Sequence, residues 1–256
     1  MTQQYTYQEF FERFPEPYLR FERLVSNSEN YFHEFEQRGF FNGVKKVLSI
    51  GCGEGALEMR LAKDYGLQVD CVDPSAEYIG KLEKEVAKRH LDGLVRTFCC
   101  GFQDFERTCE YDRIISVHSW YAFGIDIVPT NKALSFLSTG GRLFITLVSN
   151  KSPIWRIHDK STEKPTDNLS AEMLHETLVT GGLSTIFTEN YRKLALGEVF
   201  QNSSLTFDAQ GMISFLYFCP WDDLSEYQVN YGIQCLREAV VEDKVVLVNG
   251  CIEIAA

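Results

Sequence analysis

A glycine-rich turn stands where one apolar run hands over to an amphipathic one: VLSIGCGEGALEMRLA carries Gly51, Gly53 and Gly55 within five residues, with Cys52 inside the turn. Glycine lets backbone approach a ligand with no Cβ in the way, and the free N–H groups at the start of the next helix attract a carboxylate or phosphate. About 20 residues further on, LQVDCVDP ends a second strand in Asp73. A carboxylate there accepts hydrogen bonds from both hydroxyls of a ribose. Glycine turn and acidic strand end together describe a site for a ribose-bearing ligand. The turn also satisfies the loose G-x-G-x-x-A form of the dinucleotide fingerprint, so on these residues alone a nicotinamide-dependent oxidoreductase stays open.

A second group of residues follows the fourth strand-like run, in VHSWYAFGID. Ligands enter an open α/β sheet beyond the carboxyl ends of its strands, which is where this loop lies. Trp120, Tyr121 and Phe123 form a candidate aromatic wall there, with Trp155 after the fifth strand. Aromatic faces attract cations by ~0.5–2 kcal/mol, and each of these rings equally suits ordinary core packing. His118, with Tyr121 beside it, is the candidate catalytic pair: an imidazole takes a proton from an amine or hydroxyl, or holds its own loop by hydrogen bonding. His33, His90, His158 and His175 show no metal-ligand spacing, so no metal is expected.

The elements that must position these residues can be read from periodicity. VKKVLSIG, LQVDCVD, LVRTFCC, YDRIISVH and GRLFITLV read as buried strands, with helical stretches such as ALEMRLAKDY and SAEYIGKLEKEVAKRH between the early ones. Later strands come from LSTIFTENY and KVVLVNGCIEIA. Apolar strands alternating with helices predict an α/β fold with a doubly wound, mostly parallel, seven-stranded sheet. Residues 1–39 are expected to form an N-terminal helical lid, with Tyr18, Phe21, Tyr31, Phe32 and Phe35 at helix-like spacings. Residues 40–196 form the ligand-binding α/β domain, 197–243 a helical substrate-side insert and 244–256 the last strand of the sheet.

The chain has 256 residues, 45% of them apolar, with a formal net charge of −11. That size buries one substantial core with residues left for an appended part. The charge opposes nucleic-acid binding, which draws on clustered Lys and Arg, and favours a neutral or cationic small molecule. No apolar run approaches the ~20 residues of a membrane span, and the polar N-terminus lacks the pattern of a secretory signal, so a cytoplasmic location is expected. None of the eight cysteines pairs at C-x-x-C spacing, and they read as reduced, small hydrophobes.

The run SIGCGEGALEMRLA, VDPS, FCCGFQDF, YDRIISVHSWYAF and LSTGGRLFITLV resembles, in order and spacing, the successive motifs of class I S-adenosylmethionine-dependent methyltransferases. That resemblance implies S-adenosyl-L-methionine as cofactor, a Rossmann-like fold and a small-molecule substrate. It places the amino-acid part of the cofactor on Gly51, Cys52, Gly53 and Gly55, the ribose on Asp73, and the adenine on Gly101, Phe102 and Gln103, with Val117 on the same side. Many members carry Asp where Phe102 stands, which leaves adenine to stacking, Gln103 or backbone groups. LSIGCGEG and VDPSAEYIGKLEKEVAK, with the N-terminal helices and the closing KVVLVNGCIEIA, are similar to the histamine N-methyltransferase family. This implies a cofactor contact at Tyr78, an ammonium-binding carboxylate at Glu29 (or Asn30 in its place) and an Asn beside the last strand at Asn249. The expected reaction is methylation of an N or O atom of a small molecule. Methylation of a carboxylate or carbon of a small acid, and a non-catalytic cofactor-binding module, are the alternatives.

Overall fold

The computed structural model describes residues 10, 13–25, 28–160, 169–202 and 204–256, with backbone alone at 15, 22 and 28–30. The chain forms two compact units. One comprises Asn27–Leu147, Ala171–Thr188 and Gly250–Ala256; the other comprises Met1–Ser26, Val148–Ser170 and Glu189–Asn249.

The strands are β1 (Lys46–Ile50), β2 (Gln68–Asp73), β3 (Val95–Cys99), β4 (Tyr111–Val117), β5 (Leu137–Val148), β6 (Thr185–Ala195), β7 (Phe200–Gln201), β8 (Ser204–Leu205), β9 (Val240–Val241) and β10 (Lys244–Ala255). The main sheet runs β3-β2-β1-β4-β5-β10-β6. From β3 to β5 all neighbours pair in parallel, with Leu48 opposite Asp70 on one side of β1 and Ile114 on the other. Burial of Val47, Leu48, Ser49 and Ile50 in succession is what helices on both faces require. The α/β, mostly parallel expectation therefore holds, but the strand number was too low. Seven strands lie on this path, and β9 pairs antiparallel with the start of β10, making eight. Glu242 and Asp243 join β9 to β10 with φ +50 and +59, the left-handed pair of a type I′ hairpin. A two-residue strand is too short to leave a periodic signal.

The order reverses at β1: the chain proceeds outward to β2 and β3, then returns to place β4 on the other side of β1. The loops after β1 and β4 are thus neighbours at the switch point, where such sheets bind ligands. Helix Ala56–Tyr65 buries Leu57, Glu58, Leu61 and Ala62, one face at i, i+3 and i+4 spacing, and ends on Gly66 in the left-handed region. Helix Ala76–Lys88 is capped by Ser75, whose hydroxyl accepts the Tyr78 N–H at 3.3 Å, and buries Ile79, Leu82 and Val86. From helix Ser28–Gln37, Phe32 and Phe35 enter the core of this unit, where the Phe35 ring meets Phe144 edge-on at 4.8 Å. Of the cysteines, Cys71 and Cys251 are buried here. Cys99 is exposed, because β3 is the sheet's edge strand.

The other unit packs helix Pro15–Val25 on helix Phe207–Leu216. Gly211 permits their approach, since a Cβ there would lie 2.4 Å from that of Arg20. Tyr18 and Phe21 meet Phe215 at 5.2 and 4.9 Å, and Arg23 pairs with Asp208 at 3.0 Å. Leu24, Ile157, Met212, Ile213, Leu236 and Leu247 form its core. No helix among the described residues is long and apolar enough to cross a membrane.

Candidate functional site

The glycine turn is set by close approach on one side and open space on the other. Gly51 and Gly53 have φ +71 and +55, a region in which a Cβ costs ~1–2 kcal/mol. A Cβ on Gly51 would lie 2.2 Å from Ser119 Cβ. Ser119 is held there because its hydroxyl donates to the Ile50 carbonyl at 2.5 Å and contacts Ser116 Oγ at 2.6 Å. A Cβ on Gly53 meets nothing within 4 Å. Gly55 is packed tightly, with Leu82 Cδ1 2.3 Å from where its Cβ would stand.

Asp73 is bound to this turn. Its Oδ2 accepts the Gly53 N–H at 3.0 Å and its Oδ1 accepts the Ser75 N–H at 2.9 Å. A carboxylate has about four acceptor positions, so one backbone donor on each oxygen orients the group and leaves sites for two hydroxyls. Beneath the turn, Glu58 is 4% exposed and its Oε1 accepts the Ser49 hydroxyl at 2.6 Å. Burial raises its pKa to about 7; the Ser49 bond and its own backbone oppose the shift, and the Asp73 charge adds to it.

At the end of β4 three protic side chains meet. Tyr31 Oη lies 2.5 Å from His118 Nε2, and His118 Nδ1 lies 3.4 Å from Tyr121 Oη. The Tyr31 and His118 rings meet edge-on at 5.7 Å; those of His118 and Tyr121 are parallel at 6.5 Å. His118 has φ +54, the kind of backbone strain that persists where the surroundings over-determine a conformation. A phenol donating to Nε2 fixes the proton on Nδ1, from which it can be donated to Tyr121. The arrangement can pass a proton between an exposed tyrosine and a partly buried one.

The other expected residues are distributed around these groups. Phe102 and Trp120 are buried in a four-ring cluster with Phe123 and Phe136: Trp120 to Phe123 is 4.9 Å, Phe102 to Phe123 5.9 Å, Phe102 to Phe136 5.9 Å. Trp120 thus lies among core rings, while Tyr121 next to it is exposed. The buried Trp120 Nε1 has no hydrogen-bond partner among the described residues. Gln103 is exposed, its carbonyl accepting Lys132 Nζ at 2.7 Å. Gly101 closes the same turn, Tyr78 is half-buried with Lys81 Nζ 5.7 Å from its ring, and Val117 and Cys52 are half-buried beside the core. Glu29 falls on the first turn of helix Ser28–Gln37, and its side chain lies outside the described residues, as does that of Asn30. Trp155 and Asn249 belong to the other unit.

Sequence places Tyr31 only among the lid aromatics, without its link to His118, and does not pick out Glu58. Tyr31 is separated from His118 by 87 positions and gives no local signal. Glu58 does leave one: a carboxylate on the same helix face as Leu61 and Ala62, where an apolar residue belongs.

The residues present fit S-adenosyl-L-methionine on this geometry: an open approach at Gly53, an oriented carboxylate at Asp73, and two acidic groups near the turn that suit a cationic ligand. The family model described as mycolic acid cyclopropane synthetase matches residues 29–183. Among solved structures, the chain is similar to plantazolicin methyltransferase BpumL in complex with a pentazolic desmethylPZN analog and SAH, at 15% identity over 97% of this chain and 94% of that one, TM-score 0.58. It is similar to Haemonchus contortus phospholethanolamine N-methyltransferase 2 in complex with phosphomonomethylethanolamine and S-adenosylhomocysteine, at 16% identity over 98% of this chain and 60% of that one, TM-score 0.58. Coclaurine N-methyltransferase bound to N-methylheliamine and SAH matches at 14% identity over 88% and 71%, TM-score 0.56. At these identities the likeness is one of fold. No curated protein matches the chain.

Proposed function

The chain belongs to the mycolic acid cyclopropane synthetase family and is an S-adenosylmethionine-dependent methyltransferase; we propose that it methylates a nitrogen or oxygen atom of a small molecule, with His118 taking the proton the acceptor sheds. The observation that carries this reading is the contact of Tyr31, His118 and Tyr121. An amine, phenol or alcohol must lose a proton on methylation and gains from a base within reach. A carboxylate is already ionised and needs none, so the protic cluster favours N or O acceptors over small acids. The resemblance to the histamine N-methyltransferase family, which assigns Glu29 to an ammonium group, supports an amine among them.

When bound, the cofactor supplies an electrophilic methyl group on a sulfonium. The residues proposed to hold it are Gly51, Cys52, Gly53 and Gly55 at its amino-acid end, Asp73 at the ribose, the Gly101–Gln103 turn at the adenine, and Tyr78 and Val117 beside them. The chain's further tasks are to align the acceptor and exclude water, which can supply much of the rate in such a transfer. The proton reaches His118 through Tyr31, whose hydroxyl oxygen takes it as its own proton passes to Nε2, and the resulting imidazolium can hand its Nδ1 proton to Tyr121. Neutral or cationic metabolites fit the net charge of −11.

Incubation with methyl-labelled S-adenosylmethionine and a panel of biogenic amines, phenols, alcohols and carboxylic acids tests this. Label is expected on an amine, phenol or alcohol. Label confined to carboxylic acids or carbon would refute the reading, and cofactor binding without any product would favour a non-catalytic module.

A further inference from the structure

Glu58 takes no part in the reaction proposed above, yet its position is demanding. It lies on the first turn of the helix that the glycine turn opens, it is buried, and among the described residues its side-chain hydrogen-bond partner is the Ser49 hydroxyl at 2.6 Å. Ser49 ends two residues before Gly51 on β1, and Asp73 grips Gly53 from β2. The ionisable groups that bear on Glu58 are Asp73 and, also on β2, the Cys71 thiol; no Lys, Arg or His is among the causes of its shift. A buried carboxyl is stable when neutral or when a cation compensates it. Among the described residues no Lys, Arg or His pairs with Glu58, while the helix N-terminus and Ser49 make ionisation accessible.

We propose that Glu58 is a proton-coupled positioning residue for the cationic cofactor: it holds its proton in the cofactor-free protein and releases it when a sulfonium occupies the turn above. A pKa of about 7 places this exchange near neutrality. The sulfonium makes the ionised carboxyl favourable, and by linkage the ionised carboxyl strengthens binding of the sulfonium. S-adenosylhomocysteine, the product, lacks that charge and leaves an ionised Glu58 uncompensated. The carboxyl therefore favours entry of the charged cofactor and departure of the neutral-sulfur product, a discrimination that Asp73 at the ribose cannot make, since both ligands carry the same ribose.

This inference rests on the cofactor lying at the Gly51–Gly55 turn, as proposed above. The test is calorimetric titration of the full chain with S-adenosylmethionine and with S-adenosylhomocysteine, in buffers of different ionisation enthalpy, for wild type and Glu58→Gln. If the sulfonium makes ionisation about tenfold easier, wild type releases about 0.4 proton per S-adenosylmethionine at pH 7, and its affinity rises about fivefold from pH 6 to 8. S-adenosylhomocysteine should give less release, and Glu58→Gln should abolish the difference in release between the two ligands. Every other group that exchanges protons on binding is common to both proteins and cancels in the comparison. Equal release by wild type and Glu58→Gln would overturn the role of Glu58 alone. Failure of either ligand to bind wild type would instead remove the cofactor placement. Should Glu58→Gln not fold, Ser49→Ala serves: losing the donor that favours ionisation must move the release to higher pH, and an unmoved profile overturns the proposal.

Discussion

Alanine at Gly51 and at Gly53 should damage the protein in different ways, although the two glycines stand one residue apart with similar positive φ. Both substitutions place a Cβ in the left-handed region, at ~1 kcal/mol each. At Gly53 nothing lies within 4 Å of the new methyl group, so no further stability is lost. At Gly51 the methyl meets Ser119 Cβ at 2.2 Å, and Ser119 cannot give way without losing its bond to the Ile50 carbonyl and its contact with Ser116. Overpacking of this kind adds ~1–3 kcal/mol, bringing Gly51→Ala to ~3 kcal/mol in all. For a chain of this size each kcal/mol moves Tm by ~2–4 °C. Thermal unfolding should therefore show a loss of ~2–4 °C for Gly53→Ala and ~6–12 °C for Gly51→Ala. Cofactor affinity should invert the order, because the open side of Gly53 is where a ligand's backbone-like end must approach. Gly53→Ala is expected to raise the S-adenosylhomocysteine Kd at least ~10-fold, a cost of ~1.4 kcal/mol, by titration well below either Tm. A Gly53→Ala protein with wild-type Kd would show that the turn faces something other than the cofactor. A Gly51→Ala protein as stable as Gly53→Ala would refute the argument from close approach.

Asp73→Ala removes the acceptor of two backbone N–H groups and the proposed ribose contacts; titration should show Kd raised ~10–100-fold, ~1–3 kcal/mol, and an unchanged Kd would misplace the ribose. Tyr31→Phe keeps the ring but breaks the contact with His118 Nε2, so kcat should fall ~10-fold or more with cofactor Kd unaltered; steady-state kinetics with any accepted substrate decides it, and a wild-type kcat would reduce Tyr31 to packing. Glu58 carries a folded-state pKa near 7 against an ordinary 4.5, so it imposes no penalty below 4.5, a growing one as the unfolded chain ionises first, and a constant one above about 7. That gap corresponds to ~3 kcal/mol, and wild type should lose about that much stability between pH 4.5 and 7.5 relative to Glu58→Gln, read from denaturant titrations across the range. Parallel pH profiles for the two proteins would show that Glu58 is not held neutral by burial.

The glycine turn and its meeting with Asp73 were legible because their chemistry is local. A turn that must bend through positive φ and admit a ligand uses glycine whatever the rest of the fold does. Asp73 follows at the length of one helix and one strand, so spacing along the chain stands in for distance in space. The parallel sheet was legible for a similar reason, each strand being long and apolar on both faces. β9 was not, since two valines before a Glu-Asp turn have no period to detect. Aromatic residues mislead more deeply: Trp120 and Tyr121 are adjacent in sequence, and both suit a pocket wall. One is fully buried against Phe102 and Phe123 and the other is exposed beside His118, a choice made by the left-handed residue at 118 and the short 3-10 turn after it. The Tyr31–His118–Tyr121 cluster is built from contacts between segments. Tyr31 sits on a helix whose neighbouring aromatics, Phe32 and Phe35, are core residues, and only the packing of that helix brings its hydroxyl to Nε2 of an imidazole 87 residues away. Glu58 lies between these cases. Its misfit on an apolar helix face is visible in sequence and demands a partner, but the partner, Ser49, is supplied by a strand, and the charge that opposes its ionisation, Asp73, by the next strand over. A misplaced carboxylate in a helix pattern therefore marks where a site asks something of its ligand, and here what it asks for is positive charge.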